Sequence, residues 1–375
     1  MPELAPSQLE RLLRDHPLVV PRLKHERDAQ AAEAAVRACV YGEPIPFSSW
    51  LRSSTYQQVK LAFSQITGNG NRPAVLPVGI GDGPAQQRFV QTHKGFVLDH
   101  PALHELLKKV SLRTLVAPSQ EEVDRLRQLP EDDPAVIAFE DKVMADRVVF
   151  GLGRIIDDDF GELLVLSGNG YGIGAYKILR GMYERLVTAV FISKNPSEAR
   201  PFVEDDAIKR WKLWQQAIEV MPDLKDTTPK EKIEELEAEY KRVNAKRAES
   251  ICKKCGQPKT QEAWTRVDLA SMAKQSDINL AALYGACYLT PTFHSHATGF
   301  SLSARFRRTE DGATSYQEIS EKEARQAILL AHNLVLRHLA LQNEYFSLGL
   351  DKEIQARIDA FTPIWKVSES ATAQA

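Results

Sequence analysis

Four cysteines in 375 residues are too few for a disulfide framework, so the chain is not one of the small stapled folds of oxidising compartments. Long apolar runs are missing as well. The most hydrophobic stretches, Gly161-Glu-Leu-Leu-Val-Leu and Leu186-Val-Thr-Ala-Val-Phe-Ile192, fall far short of the roughly 20 residues that cross a bilayer. An excess of one charge is the third absence. With 48 Lys+Arg against 50 Asp+Glu the formal net charge is −2, so no global field draws a nucleic-acid backbone or an anionic membrane, and only a local patch could do so. The opening residues, MPELAPSQLERLLRDHP, mix acids and bases without an apolar core and do not read as a secretory leader. Together these absences predict a cytoplasmic protein with no membrane span and do not favour nucleic acid as a partner.

What is present is ordinary for a folded chain: 43% hydrophobic and 26% charged residues. The length exceeds one typical core and predicts more than one compact unit. The expected fold class is mainly α: a multi-helix bundle core, a projecting charged helical hairpin and at most a small β-hairpin near residues 300–319. Three regions follow. Residues 1–140 form an N-terminal helical region interrupted by a Gly/Pro-rich loop at 68–84. Residues 145–348 form the helical core, with the hairpin inserted at 223–262. Residues 349–375 hold a short helix and a disordered tail.

Local signals support this division. Within the Gly/Pro-rich loop, Gly79-x-Gly81-x-Gly83 lacks the Gly-Lys-Ser/Thr of a phosphate loop and runs into a proline, so it reads as surface loop. Ser119 and Ser320, each followed by Glu three residues on, are helix-start signals, and Ser320-Glu-Lys-Glu323 has the form of a capping box. Ile233, Leu236, Tyr240 and Val243 recur at helical spacing on an otherwise Lys/Glu-rich segment, one arm of the predicted hairpin. Its return arm is expected to start near Thr260 or Trp264, with Cys252-Lys-Lys-Cys255-Gly as the tip.

Four constellations could carry chemistry. Arg180 and Glu184 lie one turn apart on a segment that is apolar nearly all round, so the pair is expected to be partly buried, either as a simple ion pair or as an arginine oriented to hold an anion. His294 and His296, among Ser and Thr at the end of a helix, offer proton transfer or metal ligation; alternatively they satisfy backbone groups. Cys252 and Cys255 have the spacing of half a zinc knuckle, but the other cysteines, Cys39 and Cys287, do not complete it. Zinc there would need further ligands, for which His294 and His296 are candidates, or a second subunit of a homodimer. Arg325 and His332 fall on one helical face about 10 Å apart. That Arg…His spacing is similar to the signature of the helical HEPN ribonucleases, where the two act at a dimer interface; the plainer reading of His332 is a core histidine.

Arg180 and Glu184, followed by Trp264 and the Thr-Phe-His294-Ser-His296 segment, resemble a bacterial helical domain family with no assigned function. The resemblance covers about residues 145–348. It implies that Arg180, Glu184 and His294 or His296 occupy the family's recurring polar positions. It supplies no reaction.

Three functions remain open on these residues. The first is a binding or effector protein, in a defence or stress system, with a polar pocket of Arg180, Glu184 and His294 or His296. The second is a metal-independent, HEPN-like ribonuclease using Arg325 and His332. The third is an interaction scaffold using the charged hairpin.

Overall fold

A computed structural model describes residues 5–24, 26–41, 43, 53–67, 93–113, 118–251, 258–260, 263–296, 299–308, 312, 314–316 and 320–372. The Gly/Pro-rich loop at 68–84 lies outside these residues. The fold is mainly α, as expected. The helices are α1 (Pro6–Arg14), α2 (Val20–Lys24), α3 (Glu26–Tyr41), α4 (Ser53–Thr67), α5 (Lys94–Arg113), α6 (Gln120–Leu126), α7 (Pro134–Gly168), α8 (Gly172–Lys194), α9 (Ala199–Val220), α10 (Leu224–Thr227) and α11 (Lys230–Lys246). After the strands β1 (Ala248–Ile251) and β2 (Pro258–Thr260) come α12 (Leu269–Lys274), α13 (Thr290–Ser295) and α14 (Gly299–Ser303). The strands β3 (Phe306–Arg308) and β4 (Thr314–Tyr316) and the helices α15 (Glu321–Tyr345) and α16 (Asp351–Thr372) complete the described chain. No described helix is long and apolar enough to cross a membrane.

The chain divides into two compact units, neither continuous in sequence. One comprises residues 1–114, 153–186 and 282–375, and the other residues 115–152 and 187–281. The sequence boundary expected at 140–145 falls inside α7. Pro134 starts that helix, where its missing N–H costs nothing, and the Asp133 carboxylate accepts the Ala135 N–H at 2.8 Å.

In the first unit α3 packs against α1, α2 and α4, and α5 packs against α4, α15 and α16. The core between α5, α7, α15 and α16 is aromatic: Phe96 meets Phe160 edge-on at 6.4 Å. Where α7 meets α15, Gly153 lets the helices approach, because a Cβ there would overlap the His338 ring and come within 2.7 Å of the Gln342 amide. The start of α8 is held from far along the chain. Ser320 does not cap its own helix; its hydroxyl, buried, accepts the backbone N–H of Ile173 at 3.1 Å, and its own N–H donates to the Gly170 carbonyl at 2.8 Å. Phe306 to Arg308 pair with Tyr316 to Thr314 in an antiparallel ribbon, so the small hairpin expected near 300–319 is present, while residues 299–303 before it are helical.

In the second unit the charged hairpin takes a different partner from the one expected. The stripe of α11 packs on α9, which precedes it: Ala207, Ile208 and Val243 form a small core with Tyr240 at its edge, and Trp211 stacks on Tyr240 at 5.7 Å. Residues 258–260 pair as a strand with 248–251 and do not return as a helix. The reason is complementarity: a 3.6-residue stripe is buried best by another helix with a matching one, and Ala207, Ile208 and Trp211 supply it. Polar groups frame the contact. Arg242 and Lys246 both reach Glu204 at 2.9 Å, and the nearly buried Arg247 pairs with Asp205 at 2.7 Å. Trp264 sits edge-on to Phe191 and Phe202. Val243 is buried there, while Ile233, Leu236 and Tyr240 are half-buried, so the stripe is only partly open to a scaffold partner.

Candidate functional site

Arg180 lies on α8 with Glu184 one turn later, and its Nε donates to Glu184 Oε1 at 2.9 Å. Both side chains remain partly exposed, at 24% and 40%. An arginine preceding a glutamate at this spacing is the less favoured order along a helix, and such a pair contributes only a few tenths of a kcal/mol. Helix stability is therefore a weak reason for it. Two further groups approach the same guanidinium. Its carbon lies 4.9 Å from the centroid of the Tyr288 ring, within cation–π range. Its Nη1 lies 3.4 Å from Nε2 of His296. Arg180, Glu184 and His296 thus converge at hydrogen-bonding distances.

The segment opposite Arg180 is shaped by a proline. Pro291 follows a π-helical turn, Gly285–Leu289, in which the Thr290 N–H reaches back to the Gly285 carbonyl. A proline inside an α-helix removes an N–H and crowds the carbonyl four residues earlier, here that of Cys287; the wider π turn relieves that crowding. The turn brings Tyr284 and Tyr288 into a stack at 5.1 Å, against which the fully buried Tyr183 ring packs. Burial raises the Tyr183 phenol well above its ordinary range. Cys287 is buried beneath this layer; burial pushes its thiol up to about 12, against the opposing pull of Arg337, so it is no thiolate nucleophile at neutral pH.

The two histidines part company at the end of α13. His296 is the C-terminal cap, in extended conformation, and it is exposed. His294 is buried; its ring stacks on Tyr176 at 5.5 Å and meets Phe300 edge-on at 5.2 Å. Burial lowers its pKa, with Glu323 opposing and Arg305 and Lys177 adding to the shift. Only His296 reaches Arg180, and His294 serves packing.

The Arg325–His332 pair fares differently. His332 is completely buried, its ring 3.8 Å from that of Phe361 and 5.2 Å from that of Phe96. Burial, with Arg357 adding, takes its pKa down to about 3. Arg325 exerts its charge on His93 instead. A ring sealed inside one chain can meet neither a phosphodiester nor a twofold-related partner, so the ribonuclease reading of Arg325 and His332 is overturned. Cys252 and Cys255 lie outside the described residues, and with them the zinc expectation. Among the described residues no group of three or more His, Cys, Asp or Glu could hold a metal ion.

Sequence reasoning found Arg180, Glu184 and His296 but missed Tyr288. The available signal was Tyr284-x-x-x-Tyr288 just before Pro291, two rings at helical spacing beside a helix-disrupting residue.

No curated protein and no solved structure matches the chain. Residues 152–313, which carry Arg180, Glu184, Tyr288, His294 and His296, match the model of DUF5677, a family of unknown function.

Proposed function

We propose that this is a binding protein whose ligand carries an anionic group, held by Arg180 with His296 beside it. One observation carries the reading: a partly exposed guanidinium is approached by the Glu184 carboxylate, the Tyr288 ring and the His296 imidazole at once. Fixing a long side chain in advance removes part of the entropic cost of binding. A fork with donors left over suits a carboxylate or a phosphate, which it grips in two-point fashion. His296 adds a ring nitrogen beside the guanidinium, a second polar group for the ligand to meet.

The test is titration with inorganic phosphate and with a dicarboxylate, followed by calorimetry and by NMR shifts of the His296 ring. Hydrogen bonds to charged groups contribute about 1.5–3 kcal/mol, so Arg180→Ala is expected to weaken binding at least about tenfold. Equal affinity in Arg180→Ala and the unaltered protein, or no anion bound by either, overturns the reading.

A further inference from the structure

The segment that supplies Tyr288 and His296 continues into a surface of unusual composition. Residues 278–309 contain no Asp or Glu, in a chain where 50 of 375 residues are acidic, yet they carry Arg305, Arg307, Arg308 and two histidines. The same stretch and its hairpin partner are rich in exposed rings. Phe293, Phe300, Phe306 and Tyr316 are between 42% and 58% exposed, four of the six exposed aromatic side chains among the described residues. They stand in pairs, Phe293 with Phe300 at 5.4 Å and Phe306 with Tyr316 at 5.6 Å. The elements bearing them touch in series: α13 packs on α14, α14 on β3, and β3 on β4. Clustered apolar surface of this kind carries a hydration cost and marks an interaction site.

The composition selects the partner. Flat rings left open to solvent, on a stretch whose sequence carries three arginines and no acid before Glu310, suit a polyanion that also presents flat faces. We propose that a single-stranded nucleic acid lies along this strip, with bases stacked on Phe300 and Phe306 and a backbone phosphate near Arg180. The placement of that phosphate rests on the anion-binding reading above; the strip itself does not. Net charge does not oppose the proposal, because binding of this kind needs a local basic and aromatic path and no global field. A second copy of the chain is a poorer occupant, since a twofold contact would set like charges against each other. An anionic membrane is poorer too. The helices here span Thr290–Ser295 and Gly299–Ser303, and neither is long enough to lie as an amphipathic anchor in the interface.

The experiment is fluorescence anisotropy of the full chain with labelled single strands of about 12 nucleotides, in RNA and DNA form. Its other arms are the matching duplex, poly-glutamate as competitor and phosphatidylserine vesicles. Single strands are expected to bind in preference to the duplex and more weakly as salt rises, and poly-glutamate is not expected to displace them. Phe300→Leu and Phe306→Leu keep apolar bulk but remove the stacking face; each is expected to weaken binding about fivefold or more while leaving phosphate titration unchanged. A thermal melt of each variant separates lost binding from lost folding. Phosphate bound at Arg180 but no strand bound overturns the strip alone. Strand binding that survives Arg180→Ala, with no phosphate bound, overturns the Arg180 reading and leaves the strip. Equal binding of duplex, displacement by poly-glutamate, binding to vesicles in place of strands, or ring variants that bind like the parent overturn the proposal.

Discussion

The guanidinium of Arg180 stands 4.9 Å from the centroid of the Tyr288 ring, although the two residues are separated by more than a hundred positions in the chain. The ring restrains the arginine from one side while Glu184 holds its Nε. An exposed cation–π contact is worth about 0.5–1 kcal/mol. Tyr288→Leu is therefore expected to weaken anion binding about two- to fivefold, and Tyr288→Phe to leave it unchanged. Calorimetric titration of both variants checks this. A loss in Tyr288→Phe equal to that in Tyr288→Leu would assign the effect to the phenol hydroxyl.

Glu184 plays two opposed parts, orienting Arg180 and repelling any anion that approaches it. Glu184→Gln keeps an oxygen acceptor and removes the charge. Anion affinity is expected to rise about two- to fivefold at low salt and to converge on the parent's value as ionic strength shields the site. Titrations at two salt concentrations decide it; weaker binding at both would make orientation the dominant role.

Ser320 and Gly172 hold the start of α8. Ser320→Ala leaves the buried Ile173 N–H without its acceptor and should lower stability by about 1 kcal/mol in urea unfolding. Gly172→Ala should cost more, about 1–3 kcal/mol, because the added Cβ would overlap the backbone nitrogen of Ala324 and the carbonyl oxygen of Ser320, which cannot swing aside as a side chain would. A Gly172→Ala protein as stable as the parent would show that the two segments can separate freely.

His332 makes the fold sensitive to acid. Its pKa falls from 6.5 to about 3 on folding, so between these values the unfolded chain binds more protons than the folded one. The stability is fully present above about pH 6.5 and drains away as pH falls toward 3, at up to about 1.4 kcal/mol per unit. His332→Phe, which keeps an aromatic ring among Phe96, Phe160 and Phe361, should flatten that decline. The comparison is the difference between the two pH–stability curves. His93, held near 4 by burial, acts in the same sense, and Asp159, raised to about 6 chiefly by burial, acts in the opposite one. Parallel curves would show that His332 gains access to water.

The contact between α9 and α11 depends on the pair Arg247–Asp205, 2.7 Å apart and nearly sealed from solvent. Arg247→Met leaves the buried Asp205 carboxylate with Lys209 alone, at 2.8 Å, and is expected to destabilise by about 1.5–3 kcal/mol, whereas Arg247→Met with Asp205→Leu should recover much of that loss. Urea melts of the single and double variants measure the coupling. A double variant no better than the single would mean the arginine acts mainly through its second bond, to the Pro201 carbonyl.

Sequence alone determined what local physics controls. Helical periodicity, the absence of long apolar runs and the capping serine at 119, whose hydroxyl does accept the Glu122 N–H, were readable because each depends on neighbours within a turn. Arg180 and Glu184 were legible for the same reason. Tertiary structure decided everything that needed a distant partner. Ser320 caps α8 in place of its own helix, α11 packs its stripe on α9, His332 is sealed among aromatic rings, and His296 turns toward Arg180 while His294 turns into the core. Such pairings follow from which surfaces fit when the whole chain packs, and spacing along the sequence does not carry that information.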